Sequence, residues 1–304
     1  MRTYTTSEYK EFRCLAGQCL HTCCAGWEID IDPETMSRYR LIGGLFGSRL
    51  QQAIDSSGGQ PVFRMDADGR CPMLRKDGLC EIYRRLGPEA LCQICADHPR
   101  YRNFSESRIE TGLGLCCEAE AWRIVSMKSP LSVIMLEEDD AQKDPNEDEA
   151  DLFALRDALM EAVQEEGSWT QRLSRVMAMC DLTVLPDPDD VIALMNSLEV
   201  LDDAWPGILR RADSLAVPPE WDAPAGRIAA ALLFRHVAGC LEDGRLRARI
   251  LFALSGASLI RSLAAGRDPA DLHMLADTAR MFSAEIEYSE ENMDAVLESM
   301  DQCI

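Results

Sequence analysis

Beyond residue 151, hydrophobic residues recur at the three- and four-residue spacing of amphipathic helices, and prolines divide the pattern into segments. No internal repeat of fixed period accompanies this pattern. The second half of the chain is therefore predicted to be an α-helical bundle. The predicted helices are 151–165, 169–181, 188–203, 205–215, 225–242, 245–265, 269–288 and 290–302.

The pattern before residue 137 is shorter and more often interrupted. Asp32-Pro33-Glu34 is typical of a helix start, with an N-cap acid followed by proline in the first turn. The turn Lys76-Asp77-Gly78 predicts a small hairpin that holds Cys71 and Cys80 side by side. Other predicted elements are helices at 46–55, 82–86, 88–95 and 118–127, a strand at 61–65 and an extended segment at 108–117.

An acidic stretch separates these two patterns. Residues 137–151 contain nine Asp and Glu and one Lys, which is typical of a solvated linker. We therefore predict a mainly α protein with two domains. Residues 1–136 form a Cys-rich metal-binding domain with short hairpins, residues 137–150 form the linker, and residues 151–304 form an acidic α-helical domain.

The net charge of −21 comes from the second half of the chain, because residues 137–304 contain 14 Lys and Arg against 35 Asp and Glu. Such a surface repels phosphate backbones, so nucleic acid is not expected as a partner. A protein segment that carries lysines would be attracted. Solubility alone is the alternative explanation of the charge.

The hydropathy pattern bears on location. No apolar run reaches the eighteen residues of a membrane-spanning helix, and the first residues lack the apolar core of a signal peptide. We therefore expect a cytoplasmic protein without a membrane partner.

Ten of the thirteen cysteines lie within residues 14–117. In a reducing cytoplasm, such a set is better explained by metal ligands than by disulfides. Cys180, Cys240 and Cys303 lie singly in helical patterns and are predicted to be small buried hydrophobic residues. The ten are Cys14, Cys19, Cys23, Cys24, Cys71, Cys80, Cys92, Cys95, Cys116 and Cys117.

The cysteine spacing favours an iron–sulfur centre over zinc. Structural zinc sites prefer two Cys-x2-Cys pairs, whereas this chain has that spacing only between Cys92 and Cys95. The adjacent Cys23 and Cys24 do not readily chelate one tetrahedral ion, because consecutive side chains diverge. Irregular spacing with a distant fourth ligand is normal for iron–sulfur sites. Zinc and a set of redox thiols remain alternatives.

The cysteine motifs resemble those of a known family. The first block contains Phe12, Cys14, Cys19, Cys23-Cys24, Trp27 and Ile31-Asp32. It is followed by Cys71-Pro72-x-Leu74, Gly78-Leu79-Cys80, Leu91-x3-Cys95-x2-His98-Pro99-Arg100 and Leu115-Cys116-Cys117-Glu118-Ala119. These motifs, within residues 8–127, resemble the flagellin lysine N-methylases, a Cys-rich family related to small zinc- or iron-chelating proteins.

The resemblance implies transfer of methyl groups from S-adenosylmethionine to lysines of a flagellin-like protein, with a [4Fe-4S] cluster held by cysteines. Zinc is the alternative metal. Cys92 and Cys117 stand where family members tend to have other residues, so they are additional candidates. His21 and His98 are expected to be polar residues beside the site, with nitrogen ligation as the alternative. The cysteines that match family positions are Cys14, Cys19, Cys23, Cys24, Cys71, Cys80, Cys95 and Cys116.

The sequence assigns no catalytic and no cofactor-binding residue. Glu110-Thr111-Gly112-Leu113-Gly114 has the form of a nucleotide-binding turn, but no strand–helix series follows it, so we interpret the match as chance. The Cys-x3-Cys-x2-Cys motif of radical enzymes is absent, because Gly26 stands at its third position. Tyr83, Asp97 and Glu110 lie near cysteines in sequence, and packing or surface roles are favoured for each.

Two classes of function follow. The first is an S-adenosylmethionine-dependent protein lysine N-methyltransferase that carries an iron–sulfur cluster. The second is a metal-binding, metal-handling or interaction module without this activity. A peptide-tailoring enzyme of the same family is a further alternative.

Overall fold

The computed structural model describes residues 1–138, 143–211 and 217–303. Its contacts divide the chain into two units. We call residues 13–100 the thiol unit, and residues 1–12 together with 101–304 the helical unit. We predicted a boundary between two domains at residues 137–150. In the structure, the residues before and after this stretch belong to the same helical unit. Residues 139–142 of the predicted linker lie outside the described part of the chain.

The secondary structure confirms a mainly α protein with a small sheet. The strands are β1 (Arg2–Thr6), β2 (Ile54–Asp55), β3 (Val62–Phe63), β4 (Arg100–Phe104), β5 (Arg108–Leu113) and β6 (Val133–Glu138). The helices are α1 (Pro33–Arg40), α2 (Gly44–Gln52), α3 (Glu81–Leu86), α4 (Gln93–Asp97), α5 (Glu118–Ser126), α6 (Glu147–Gln164), α7 (Trp169–Met179), α8 (Pro188–Ser197), α9 (Trp205–Leu209), α10 (Asp222–His236), α11 (Cys240–Asp243), α12 (Leu246–Arg267), α13 (Leu272–Phe282) and α14 (Glu290–Gln302).

The sheet of the helical unit has the strand order β4-β5-β1-β6. Strand β1 pairs in parallel with β5 and antiparallel with β6. The thiol unit therefore occupies the connection between β1 and β4 in the sequence. The sequence pattern predicted neither β1 nor β6, because β1 has no apolar–polar alternation and β6 runs into the acidic stretch.

The helices of the second half pack around α10 and α12. Helix α10 contacts α5, α6 and α12, and α12 also contacts α13 and α14. Gly226 allows the close approach of α10 to α6, because a Cβ there would lie 2.7 Å from the carbonyl oxygen of Val163. Helix α12 has the length and hydropathy of a membrane span, but 78% of its most apolar window is buried inside the protein. Its apolar character is thus explained by the core.

Two predicted helices end differently in the structure. The segment predicted at 269–288 is α13 followed by one π-helical turn, Ser283–Glu287. The segment predicted at 205–215 contains α9, and its last residues, from 212 onward, lie outside the described residues.

The thiol unit has a small core of its own, formed by side chains that include Ile31, Tyr39 and Leu50 and by the buried Cys71 and Cys92. Asp32 caps α1 as predicted, because its Oδ1 accepts a hydrogen bond from Thr35 N at 2.9 Å. The chain on either side of this core is held by backbone bonds from Phe63 N to Ile29 O and from Cys71 N to Cys24 O.

Candidate functional site

Cys71 and Cys80 lie on the predicted hairpin. Leu74 and Cys80 form an antiparallel bridge, and Gly78 supplies the positive φ of 74° that the turn requires. Burial raises the pKa of Cys71 to about 11, against the opposite effect of the N–H groups of Met73 and Leu74. Burial also raises the pKa of Cys80, against the N–H groups of Tyr83 and Ile82. Both thiols therefore stay protonated at neutral pH unless a cation binds.

Cys92 and Cys95 lie one turn apart at the start of α4. Their side chains are hydrogen-bonded to each other, which lowers the pKa of Cys92 and raises that of Cys95. Cys92 is 1% exposed and belongs to the core, while Cys95 is partly buried. This helix start is anchored by Asp32, whose Oδ2 accepts a hydrogen bond from Gln93 N at 2.8 Å.

Cys23 and Cys24 are adjacent, and a hydrogen bond between their side chains raises the pKa of Cys23. Cys24 packs against the core of the thiol unit. The Cys24 carbonyl accepts the hydrogen bond from Cys71 N at 2.8 Å, which fixes this pair beside the hairpin.

These thiols influence one another. The charges of Cys24 and Cys71 raise the pKa of Cys95. The charges of Cys80 and Cys92 raise the pKa of Cys71. The charge of Cys23 raises the pKa of Cys80. We call the set Cys23, Cys24, Cys71, Cys80, Cys92 and Cys95 the thiol cluster. Soft thiolates of this kind select zinc and iron–sulfur clusters, so the donors fit such a group. Within residues 1–138, 143–211 and 217–303, no three His, Cys, Asp or Glu side chains already form a site for one ion.

Five of the eight predicted ligands belong to the thiol cluster, and three lie elsewhere. Cys14 is exposed in a loop, where its Sγ accepts a hydrogen bond from Ala16 N at 3.3 Å. Cys19 is partly buried in the same loop. Cys116 belongs to the helical unit, where it is hydrogen-bonded to the Tyr288 side chain.

Trp27 and His98 lie beside the thiol cluster. Their rings stack with centroids 6.1 Å apart, and Trp27 Nε1 donates a hydrogen bond to Cys23 O at 2.9 Å. Burial lowers the pKa of His98 to about 4, so its ring is neutral at neutral pH. His21, by contrast, is exposed.

A second polar cluster lies in the helical unit and was not predicted from the sequence. His236 Nε2 is 2.6 Å from Glu287 Oε1, and the Arg235 guanidinium lies between the rings of Tyr101 and Tyr288, at 4.8 and 4.5 Å. Burial acts to raise the pKa of Glu287, but Arg235 and His236 outweigh burial and lower the pKa to about 2. Local sequence pattern gave no signal for this cluster, because Glu287 lies some fifty residues beyond His236 along the chain.

Packing explains the two glycines of the Glu110–Gly114 segment, which has the form of a nucleotide-binding turn. A Cβ at Gly112 would lie 2.3 Å from Tyr101 Oη, and one at Gly114 would lie 2.2 Å from Tyr288 Oη. The tyrosine hydroxyls therefore occupy the space that glycine leaves. This account of the two glycines requires no bound cofactor.

The three polar residues that lie near cysteines in the sequence have structural contacts or lie at the surface. Glu110 is buried and pairs with Arg156 Nη1 at 2.7 Å. Asp97 accepts a hydrogen bond from Gln93 Nε2 at 2.7 Å, and Tyr83 is exposed. These contacts support the structural roles favoured from the sequence.

The two cavities noted in the described part of the helical unit are small, at about 240 and 250 Å³. Drug-sized ligands occupy pockets of roughly 300–1,000 Å³. Neither cavity is therefore assigned to S-adenosylmethionine.

Comparison with known proteins identifies relatives of this chain. It is 27% identical over 121 residues to the flagellar biosynthetic protein FliU of Salmonella muenchen. The matched residues cover 38% of this chain and 72% of FliU. It is also 27% identical over 121 residues to the lysine-N-methylases of Salmonella typhimurium and Salmonella choleraesuis. That match spans 30% of the length of each methylase. No family model and no solved structure matches the chain. Over part of its length, the chain is related to the flagellin lysine N-methylases, as its cysteine motifs indicated.

Proposed function

We propose that this chain is an S-adenosylmethionine-dependent protein lysine N-methyltransferase whose thiol unit binds a [4Fe-4S] cluster. The observation that carries this proposal is the 27% identity to proteins named lysine-N-methylase. Because the match spans 30% of those proteins, the activity itself is part of the proposal.

The thiol cluster supports the metal part of the proposal. The family-matched thiols within it are Cys23, Cys24, Cys71, Cys80 and Cys95, which supply enough donors for one four-ligand centre. The adjacent pair Cys23-Cys24 would suit a centre with several irons better than a single tetrahedral zinc, because consecutive side chains diverge. A bound iron–sulfur cluster supplies a one-electron redox centre and a covalent link among these segments.

The methyl-transfer part requires a neutral lysine amine in line with the sulfonium methyl group. The S–CH₃ bond breaks as the N–CH₃ bond forms, and the nitrogen then loses a proton to a base or to water. The acidic surface of residues 137–304, with 35 acids against 14 bases, attracts lysine-bearing segments of a flagellin-like partner.

A labelling experiment tests the activity. The anaerobically purified chain is incubated with methyl-labelled S-adenosylmethionine and flagellin, and the products are mapped by mass spectrometry. The proposal expects label on lysine side chains with the wild type and with Cys180→Ala. It expects none with Cys71→Ala. If no protein acquires label on lysine, the methyltransferase proposal fails, and label on short peptides instead favours the peptide-tailoring alternative.

A metal-binding module without methyltransferase activity is the second candidate. The lack of a glycine-rich cofactor turn followed by a strand–helix series in the sequence favours it. Treatment with a chelator distinguishes a metal-handling module from a module with a structural metal centre. Reversible metal loss with the fold retained indicates metal handling, and unfolding on metal removal indicates a structural centre.

A further inference from the structure

The smaller of the two cavities in the helical unit is lined by two arginines. The charged side chains among its described lining residues are Arg2 and Arg108, and Tyr4, Ser107 and Phe153 line it as well. We propose that this cavity binds a small oxyanion, a carboxylate or phosphate group, through the guanidinium of Arg108. The site goes beyond the proposed function, because it requires neither a metal centre nor methyl transfer.

Two aromatic rings hold the Arg108 guanidinium in place. Its Cζ lies 3.1 Å from the centre of the Phe153 ring and 4.8 Å from the centre of the Tyr4 ring. A planar guanidinium packed against rings forms hydrogen bonds along its edge, and this edge binds a carboxylate or a phosphate through two parallel N–H bonds. Because packing already orients the group, binding an oxyanion costs little further side-chain entropy.

Arg108 shares its carboxylate with a second arginine. Its Nε lies 3.5 Å from Glu110 Oε1, whereas Arg156 Nη1 lies 2.7 Å from Glu110 Oε2. The Nε atom of Arg108 is buried and has no hydrogen-bond partner among the described residues. Asp157 also pairs with Arg156, but its side chain is 41% exposed. The positive charge at the cavity is therefore only partly balanced, and an oxyanion would balance it further.

Burial of Arg108 is consistent with this charge balance. The side chain is 11% exposed, and burial lowers the pKa of Arg108 to about 10, against the opposite effect of Glu110. The guanidinium stays charged at neutral pH. A negative charge beside it would offset part of the cost of keeping that charge away from water.

The size of the cavity sets the class of ligand. Its volume of about 240 Å³ corresponds to roughly eight water molecules, at about 30 Å³ each. This space admits a carboxylate or phosphate group, whereas drug-sized ligands occupy roughly 300–1,000 Å³. The net charge of −21 also repels free anions from most of the surface. Saturable anion binding by this protein therefore requires a site with its own cations.

The alternative is an arginine that only fills space against aromatic rings. Arg235 illustrates that case. It lies between Tyr101 and Tyr288, and its Nη1 is 3.4 Å from the buried carboxylate of Glu287. It is not among the described lining residues of either cavity. Arg108 differs because it shares its carboxylate with another arginine and borders a cavity.

Calorimetric titration of the full chain tests the inference. Inorganic phosphate and acetate are the two probes, and sodium chloride keeps the ionic strength constant. The variants are Arg108→Gln and Arg108→Lys. Arg64→Gln is the matched control, because it removes the same charge from a side chain that is 61% exposed in the thiol unit.

We expect saturable binding of at least one probe by the wild type. Arg108→Gln should weaken it at least about tenfold, because a hydrogen-bonded charge is removed. Arg108→Lys should weaken it less, since lysine keeps the charge but cannot form two parallel bonds. Arg64→Gln should match the wild type. Tighter phosphate binding supports a phosphorylated ligand, and tighter acetate binding supports a carboxylate ligand. The inference is wrong if the wild type binds neither probe, or if Arg108→Gln binds as the wild type does.

A measurement on the wild type covers the case in which the Arg108 variants do not fold. Arginines are modified with phenylglyoxal in the presence and absence of phosphate or acetate, and the sites are mapped by peptide mass spectrometry. We expect the anion that binds to slow modification of Arg108 while Arg64 reacts at the same rate. Modification of Arg108 that neither anion slows contradicts the inference.

Discussion

Asp32 joins the starts of two helices in the thiol unit. Its Oδ1 accepts a hydrogen bond from Thr35 N at 2.9 Å, and its Oδ2 accepts one from Gln93 N at 2.8 Å. Burial acts to raise the pKa of Asp32, but these N–H donors outweigh burial and lower it. The carboxylate therefore connects the segment that follows the first cysteines to the helix of Cys92 and Cys95.

Asp32→Ala is expected to weaken both helix starts. Loss of an N-cap acid costs about 1 kcal/mol, and loss of the second bond adds about as much again. Hydrogen exchange should accelerate in peptides from both α1 and α4. Asp32→Asn is the matched control, because asparagine still caps α1 but cannot accept two bonds in the same way. Exchange should then accelerate mainly in α4. Unchanged exchange in α4 for Asp32→Ala would contradict this account.

Glu287→Gln is expected to destabilise the helical unit. The carboxylate is buried against Arg235 and His236, and removing one partner of a buried ion pair costs about 3 kcal/mol. Because the pKa of Glu287 is lowered to about 2, its contribution is present above the unfolded pKa and is lost as pH falls through about 2. Denaturant unfolding measures both effects. The exposed Glu290→Gln is the control, and equal stabilities for the two variants would refute the prediction.

Glu120→Gln is expected to stabilise the protein at neutral pH. Glu120 is fully buried, and neither carboxylate oxygen has a hydrogen-bond partner among the described residues. Burial, and then the charge of Glu8, raise the pKa of Glu120 well above its usual value. The folded state therefore favours the protonated form, and stability falls as pH rises above the unfolded pKa.

At pH 7, the free energy of unfolding of Glu120→Gln should exceed that of the wild type by on the order of 1 kcal/mol or more. Between acidic and neutral pH, the variant should lose little of its free energy of unfolding. Unfolding free energies measured across this pH range test the expectation. Glu161→Gln on the exposed side of α6 is the control. A pH profile of Glu120→Gln that parallels the wild type would show that another group is responsible.

Gly112→Ala is expected to cost about 1–3 kcal/mol, because its Cβ would lie 2.3 Å from Tyr101 Oη and 2.4 Å from Tyr101 Cζ. Gly114→Ala should cost less, since its obstacle is the tip of Tyr288, which is 46% exposed and can move. Thermal unfolding of the two variants provides the comparison. Equal stability for wild type and Gly112→Ala would remove the packing explanation of this glycine.

The sequence predicted those features that depend on local pattern. The cap at Asp32, the hairpin turn at Gly78 and the helices of the second half follow from side-chain chemistry and periodicity within a few residues. Strand β1 was missed because its pairing partners, β5 and β6, lie more than a hundred residues away in the chain. Local pattern carries no information about such pairing.

The candidate site shows the same limit. Spacing and family motifs predicted Cys23, Cys71 and Cys95 as ligands and gave Cys92 only as an additional candidate. The fold buries Cys92 in the core of the thiol unit beside Cys95, and spacing alone does not predict this placement. The pairing of His236 with Glu287 likewise depends on the packing of α10 against the turn after α13.

Metal analysis of the anaerobically purified protein tests the central claim most directly. Iron, acid-labile sulfide and zinc are measured in the wild type and in a variant with Cys71, Cys80 and Cys95 replaced by alanine. The account predicts a coloured protein with iron and sulfide in equal amounts, both lost in the variant, while Cys180→Ala retains them. A colourless wild type with stoichiometric zinc and no iron would contradict the iron–sulfur centre.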